Sequence, residues 1–281
     1  MTHPCPARAE QPPVDDALER HREALKNHFP VPPRPKPRKP AKAAGAALMV
    51  ALSIGALAWL NPAYKTERFV TAMGERRAVV LDDGSELLLD SGSDVDVAWH
   101  LRSRSVDLRA GQAIFDVSSA VYRPFVVTAG STSVRVLGTV FNVRRLENDN
   151  VRVTLARGRI EVSETTAQQA SLVLVPGQQV DSIRGHLMPV TQVDTHKAMA
   201  WKDDRIVFEK TPLDEAIALL RLYRKAPIRL SDPSLAGLTV TGVFDARNVD
   251  VLLDLLPSIL PVSVTRQEDS SVQIQRSVAK K

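Results

Sequence analysis

The spacing of apolar residues changes character several times along the chain. Val14, Ala17, Leu18, Leu25 and Phe29 recur at helical intervals with charges between them, which predicts one short amphipathic helix over 14–29. Pro12 and Pro13 precede it, and Pro30 with the run VPPRPKPRKP (31–40) ends it as a stiff, extended, basic linker. Ala43 to Leu60 then reads AAGAALMVALSIGALAWL, in which Ser53 is the only polar side chain. A helix of that length reaches roughly 27 Å against a hydrocarbon core of about 30 Å, so a single membrane span over 43–60 is expected. Leu48, Leu52 and Leu57 would face lipid, with Trp59 and Tyr64 at the far interface.

From Phe69 to about Ser182 the period falls to two. RRAVVL (76–81), DVDVAW (94–99), PFVVTA (124–129), VFNVRR (140–145) and VRVTLA (151–156) are short runs rich in β-branched and aromatic residues. They predict an all-β antiparallel roll or sandwich over 66–185. A leucine followed three residues later by glycine recurs at Leu81/Gly84, Leu108/Gly111, Leu155/Gly158 and Leu174/Gly177. Each pair reads as a strand that ends on an apolar residue and turns through a glycine of positive φ, a hairpin signature.

Beyond Trp201 the pattern becomes α+β. RIVFE (205–209) reads as a strand, and Thr211 is placed to cap a helix starting at Pro212, with Leu213, Ala216, Ile217, Leu220 and Tyr223 on one face. PIRL (227–230) and LTVTGVF (238–244) are strands. A second helix, capped by Asn248, carries Val251, Leu252, Leu255 and Leu256 until Pro257 interrupts it, and 261–266 with 271–275 close as a hairpin. The order is βαββαββ, a small unit over 196–276 whose sheet edge could accept a partner's strand.

Charge fixes the direction of the span. The net charge is +5, but Arg34, Lys36, Arg38, Lys39 and Lys42 cluster without an acid immediately before the apolar segment. That is a topology signal rather than a nucleic-acid footprint: residues 1–42 are expected in the cytoplasm and 61–281 outside, at the inner membrane. Forty-two residues ahead of the apolar stretch are too many for a cleaved signal peptide. Ala43, Ala47, Ala51 and Gly55 repeat every fourth residue, a spacing that also arises readily in so alanine-rich a helix. Cys5 is the only cysteine, which excludes a disulfide framework and a cysteine–zinc cluster. The six histidines lack metal-ligand spacing, and no nucleophile elbow, P-loop or dinucleotide fingerprint is present, so neither a metal nor a cofactor is expected. Asp82-Asp83-Gly84-Ser85 lacks the spaced carboxylates of a calcium loop and reads as a turn.

Several stretches occur together in order: TAMGERR (71–77), LDDGS (81–85), LRAGQAIFDV (108–117), RPFVVTAG (123–130), VRVLGTVFNV (134–143) and GRIEV (158–162). They resemble the FecR family of inner-membrane regulators, and FEKTPLDEA (208–216) with LTVTGVF (238–244) resembles the short domain shared by secretins and TonB-dependent receptors. The resemblance implies a relay. The periplasmic part senses the signalling domain of a TonB-dependent outer-membrane receptor for an iron–siderophore or haem, with Leu238, Val240 and Val243 as candidate contacts. The cytoplasmic part regulates an extracytoplasmic-function sigma factor, with Leu18, Leu25 and Phe29 as candidate contacts. Residues 1–42 hold one helix and no tryptophan, less than the family's usual N-terminal domain. The relay implies a helix 43–60 that an intramembrane protease can unwind.

The resemblance also singles out Gly138–Thr139 as a candidate self-cleavage bond. There the threonine hydroxyl would attack the preceding carbonyl, giving an ester that water hydrolyses. A plain glycine–threonine turn is the competing reading, and otherwise no enzyme is expected. Two alternatives to the relay therefore stand: a self-cleaving envelope protein, and a passive envelope scaffold without sigma binding.

Overall fold

The computed structural model describes residues 14–28, 41–165 and 171–277. The chain divides into two units, residues 1–54 and 55–281. In the first, helix α1 (Val14–His28) carries Leu18 and Leu25 seven residues apart, and both are exposed. Phe29 lies outside the described residues. Helix α2 runs Ala41–Leu60. Its described large side chains, Met49, Val50, Leu52, Ile54, Leu57, Trp59 and Leu60, are apolar and exposed, and the Ser53 hydroxyl donates back to the Met49 carbonyl at 2.9 Å. Among the described residues no helix is long and apolar enough to cross a membrane. The span expected over 43–60 falls partly on side chains outside that set, Leu48 among them.

The second unit opens with a two-sheet sandwich. One sheet orders its strands β1 (Ala63–Val70), β4 (Asp94–His100), β5 (Arg104–Ala110), β7 (Phe125–Ala129), β8 (Thr132–Val136), β11 (Ile160–Glu164) and β12 (Ser171–Leu174). The other runs β14 (His186–Leu187), β13 (Gln178–Ile183), β10 (Val151–Arg157), β9 (Val140–Arg145), β6 (Gln112–Asp116), β3 (Glu86–Leu89) and β2 (Arg77–Val80), with β15 (Thr191–Gln192) on β13. Alternate residues fill one core between them, in which Phe115 stacks on Phe141 at 5.1 Å and meets Phe125 edge-on at 6.3 Å.

The leucine–glycine signature is more than a hairpin signal. All four glycines do take positive φ, between 77° and 93°, and all four leucines are buried. Only Gly84 makes a hairpin, between β2 and β3; Gly111, Gly158 and Gly177 are corners where the chain leaves one sheet for the other. The last inward leucine anchors the strand in the core, and the glycine then turns the backbone across the sandwich's edge. A Cβ on Gly111 would lie 2.5 Å from the Ser93 Cα, so nothing larger fits there. This weaving also explains why the sandwich is not purely antiparallel. After β5 the chain crosses to β6 and returns through 117–124, which lays β7 parallel to β5, Arg104 opposite Phe125.

The remainder contains α3 (Thr195–Ala198), β16 (Arg205–Pro212), α4 (Leu213–Leu220), β17 (Ile228–Leu230), β18 (Thr239–Asp245), α5 (Val249–Ile259), β19 (Val262–Arg266) and β20 (Val272–Arg276). β16 pairs with β18, and a three-stranded sheet runs β17-β20-β19 around a separate apolar cluster. Three local expectations are corrected here. Thr211 belongs to β16, where its hydroxyl accepts from the Glu209 N–H at 3.2 Å, and α4 starts after Pro212 with no side-chain cap. The Asn248 side chain likewise makes no cap hydrogen bond. Helix α5 continues through Pro257 to Ile259 and buries Val249, Leu252, Leu253 and Leu256, leaving Val251 and Leu255 outward. The i, i+3, i+4, i+7 set is simply displaced from the one expected.

The outward face of the second sheet is not free. Cross-strand register aligns Gln112, Arg144 and Arg152 in one row and Ile114, Asn142 and Thr154 in the next. Met199 and Trp201 pack on Ile114, so a polar sheet face that water would ordinarily cover is sealed by the C-terminal part.

Candidate functional site

Gly138 and Thr139 form the corner between β8 and β9, where the chain again changes sheets. The flanking backbone is clamped: the Ala120 N–H donates to the Leu137 carbonyl and the Val117 N–H to the Thr139 carbonyl, each at 2.9 Å. Close packing leaves no slack. A Cβ on Gly138 would sit 2.9 Å from the Ser119 Cα, and one on Gly158 would sit 2.6 Å from Thr139 Cγ2 and 3.0 Å from the Gly138 carbonyl oxygen. Two sheet-changing corners thus press together, and only glycine allows it at both.

Within this corner Thr139 is 2% exposed, and its hydroxyl has no hydrogen-bond partner among the described residues. A buried hydroxyl without a partner costs about 1–3 kcal/mol, so the site tolerates a group that is badly placed for stability. Attack by this hydroxyl on the Gly138 carbonyl, the expected self-cleavage, would need a proton acceptor at hand. No carboxylate or imidazole among the described residues bonds to that hydroxyl. Arg135, Arg159 and Glu161 line the open groove outside it, beside Val121, Leu137 and Val173. The corner offers a held nucleophile and a clamped peptide, without a side-chain base in contact.

A second polar centre joins the sandwich to the C-terminal part, and the sequence did not single it out. Tyr223 donates to Asp90 Oδ2 at 2.6 Å, and the Ser91 hydroxyl donates to the Leu222 carbonyl. Arg76 pairs with Asp204 and donates to the Lys202 carbonyl at 2.7 Å. Arg152 bonds to Asp181 at 2.8 Å within the sandwich and to Glu215 on α4 at 2.9 Å. Burial raises the Asp90 carboxyl above the ordinary carboxylate value, against the Tyr223 hydrogen bond, and burial beside Asp90 raises the Tyr223 hydroxyl. Burial works against the charge on Arg152, but Asp181 and Glu215 outweigh it and hold the guanidinium firmly protonated. The only sequence signal for Arg152 and Asp181 was their outward phase on a strand, which ordinarily means water, and Tyr223 was marked only as part of an apolar helix face.

The candidate partner contacts separate. Val240 is 1% exposed and belongs to the C-terminal core, so it presents no side chain to a partner; Leu238 is half-buried against that core, and Val243 is 51% exposed. The cause is plain strand alternation: Val240, Gly242 and Phe244 of β18 face the core side while Thr239, Thr241 and Val243 face outward, so Val240 and Val243, three residues apart, fall on opposite faces. Among the described residues no three His, Cys, Asp or Glu side chains converge as a metal site requires.

Residues 67–163 match the family described as FecR protein, which covers the sandwich from β1 to β11. Two crystal structures, each of a candidate anti-sigma factor from Parabacteroides distasonis, share the fold. One superimposes with a TM-score of 0.67 at 23% identity, covering 76% of this chain and 100% of that one. The other gives 0.68 at 23% identity over 75% and 100%. No curated protein matches the chain.

Proposed function

From the match of residues 67–163 to the FecR protein family, we propose that the chain is a sigma-factor regulator anchored in the inner membrane by α2. The family match carries the reading. The fold shared with the candidate anti-sigma factors of Parabacteroides distasonis supports it. So do the exposed apolar side chains of α2 and the basic cluster preceding it, which argue for a cytoplasmic N-terminus. In this reading α1, with Leu18 and Leu25 exposed, engages an extracytoplasmic-function sigma factor. The C-terminal βαββαββ unit meets the signalling domain of a TonB-dependent outer-membrane receptor, at the β18 edge near Val243. An intramembrane protease acting on α2 would complete the relay of an iron-source signal.

Two measurements test it. The full-length chain should remain in the membrane pellet after an alkaline carbonate wash; release into the supernatant ends the anchored reading. It should also co-purify with a co-expressed sigma factor, and Leu18→Asp with Leu25→Asp should abolish that; retention by the double variant removes α1 as the contact.

A second reading, self-processing at Gly138–Thr139, draws on the partnerless buried Thr139 hydroxyl and the clamped peptide. The hydroxyl oxygen would displace the Thr139 nitrogen from the Gly138 carbonyl carbon, the proton passing to that nitrogen, and water would then split the ester. Intact-mass analysis of full-length protein should give a fragment beginning at Thr139, absent in Thr139→Ala. Cleavage unchanged in that variant defeats the reading.

A further inference from the structure

Beneath the C-terminal part, on the sealed face of the second sheet, lies a cavity of about 160 Å³. Its charged lining is one-sided: Arg144, Arg152, Lys197 and Arg205 against the single carboxylate of Glu215. Two of these cations are already matched, Arg152 by Asp181 and Glu215, and Lys197 by Glu209 at 2.7 Å. Arg144 is not. No hydrogen bond or ion pair reaches its side chain from the described residues, and its Nε is a buried donor without a partner. Asp90 and Glu215 act on it only through space, while neighbouring Arg152 repels it. Trp201, 5% exposed, lines the same cavity, and its indole N–H is also buried without an acceptor among the described residues.

Two orphaned donors sharing one cavity, one of them on a cation, are costly unless something accepts from both. We propose that this cavity is a binding site for a small oxyanion, a carboxylate or phosphate group held between the Arg144 guanidinium and the Trp201 indole N–H. A neutral acceptor could satisfy the hydrogen bonds but would leave the buried charge unmatched; an oxyanion does both, and planar guanidinium suits it geometrically. Arg144 projects from β9 of the sandwich, whereas Trp201 follows α3 and leads into β16. The bound group therefore bridges the two parts of the unit, and its occupancy reinforces their docking. This site is independent of the sigma-factor reading.

The test uses the full-length protein with sodium acetate and sodium phosphate as probes, compared with sodium chloride at equal ionic strength. Calorimetry and the melting temperature are the two readouts. One probe should bind saturably and raise the melting temperature; acetate alone identifies a carboxylate ligand, phosphate alone a phosphate. Arg144→Gln should weaken that binding about tenfold or more, the loss of a charge-assisted contact, and Trp201→Phe by less. Arg205→Gln, at an exposed strand position, should weaken it without disturbing the buried row, and serves if Arg144→Gln folds poorly. Lys225→Gln, outside the cavity, should change nothing. In chloride alone Arg144→Gln should melt no lower than the parent, because it removes an unmatched charge. Absence of saturable binding, or an equal shift in parent, Arg144→Gln and Arg205→Gln, overturns the site.

Discussion

Arg104 is 1% exposed at the start of β5, an unusual place for a guanidinium. It survives there because its Nε and Nη1 edges and its flat face are answered, although Nη2 is buried without a partner among the described residues. Asp83 takes the charge, the Arg123 carbonyl accepts from Nε at 3.1 Å, and the Phe125 ring lies 5.2 Å beneath. Asp83 also accepts from the Ser85 N–H and hydroxyl, so the Asp-Asp-Gly-Ser turn doubles as the counter-ion's mount. Asp83→Ala should destabilise the protein by about 3–5 kcal/mol, read from chemical denaturation, because it strands a buried cation. The Arg104 and Ser85 hydrogen bonds outweigh burial and hold the Asp83 carboxyl below its ordinary value. Its stabilisation is therefore complete above the unfolded carboxylate range of about 3.9 and disappears as pH falls through the lower folded value. Asp90 has the opposite sign. Its folded value is raised, so its ionisation opposes folding at neutral pH, and that penalty vanishes below about 3.9, where both states are protonated. Asp90→Asn should accordingly be more stable than the parent at pH 7, with the difference closing in acid. The turn at Asp83 was legible in the sequence; its partner was not, because Arg104 sits 21 residues away and nothing in a strand pattern marks an inward arginine.

At the scale of elements, strands were legible because inward and outward residues alternate strictly, as in the DVDVAWH of β4. Their assignment to sheets was not. Gly111 and Gly84 have the same local signature, yet one turns within a sheet and the other between sheets, and only the partners of the next strand decide which. The corners yield a graded prediction. Gly111→Ala must adopt φ near 81° and also displace Ser93, whereas Gly92→Ala at φ 63° meets nothing within 4 Å. The second should cost about 1–2 kcal/mol for the left-handed backbone alone, and the first clearly more, measured as urea midpoints. Equal midpoints would mean that the β5–β6 corner relaxes freely. Helix α5 carries a related lesson. Its apolar residues fit two overlapping faces, and packing against β18 and β19 selects the one containing Leu253.

Across the whole molecule, the feature least visible beforehand is the junction between sandwich and C-terminal part. Its members Asp90, Arg144 and Arg152 are polar residues on outward strand phases, indistinguishable in the sequence from a wetted surface, and Tyr223 was visible only as the end of an apolar helix face. The weave of the sandwich has a mechanical consequence as well. Dividing the chain after Gly138 divides both sheets cleanly: β1, β4, β5, β7 and β8 from β11 and β12 in one, β6, β3 and β2 from β9, β10, β13 and β14 in the other. The halves meet along two ladders, β8 with β11 and β6 with β9, each of five residue pairs, and across the shared core. Co-expressed pieces 1–138 and 139–281 should therefore co-purify and part only in denaturant; pieces that separate in plain buffer would contradict this seam. A break in the covalent chain at that corner would leave a clasp, silent at rest and open to tension, with a holding strength set by ten cross-strand pairs, the shared core and the Asp90–Tyr223 and Arg76–Asp204 contacts instead of a peptide bond.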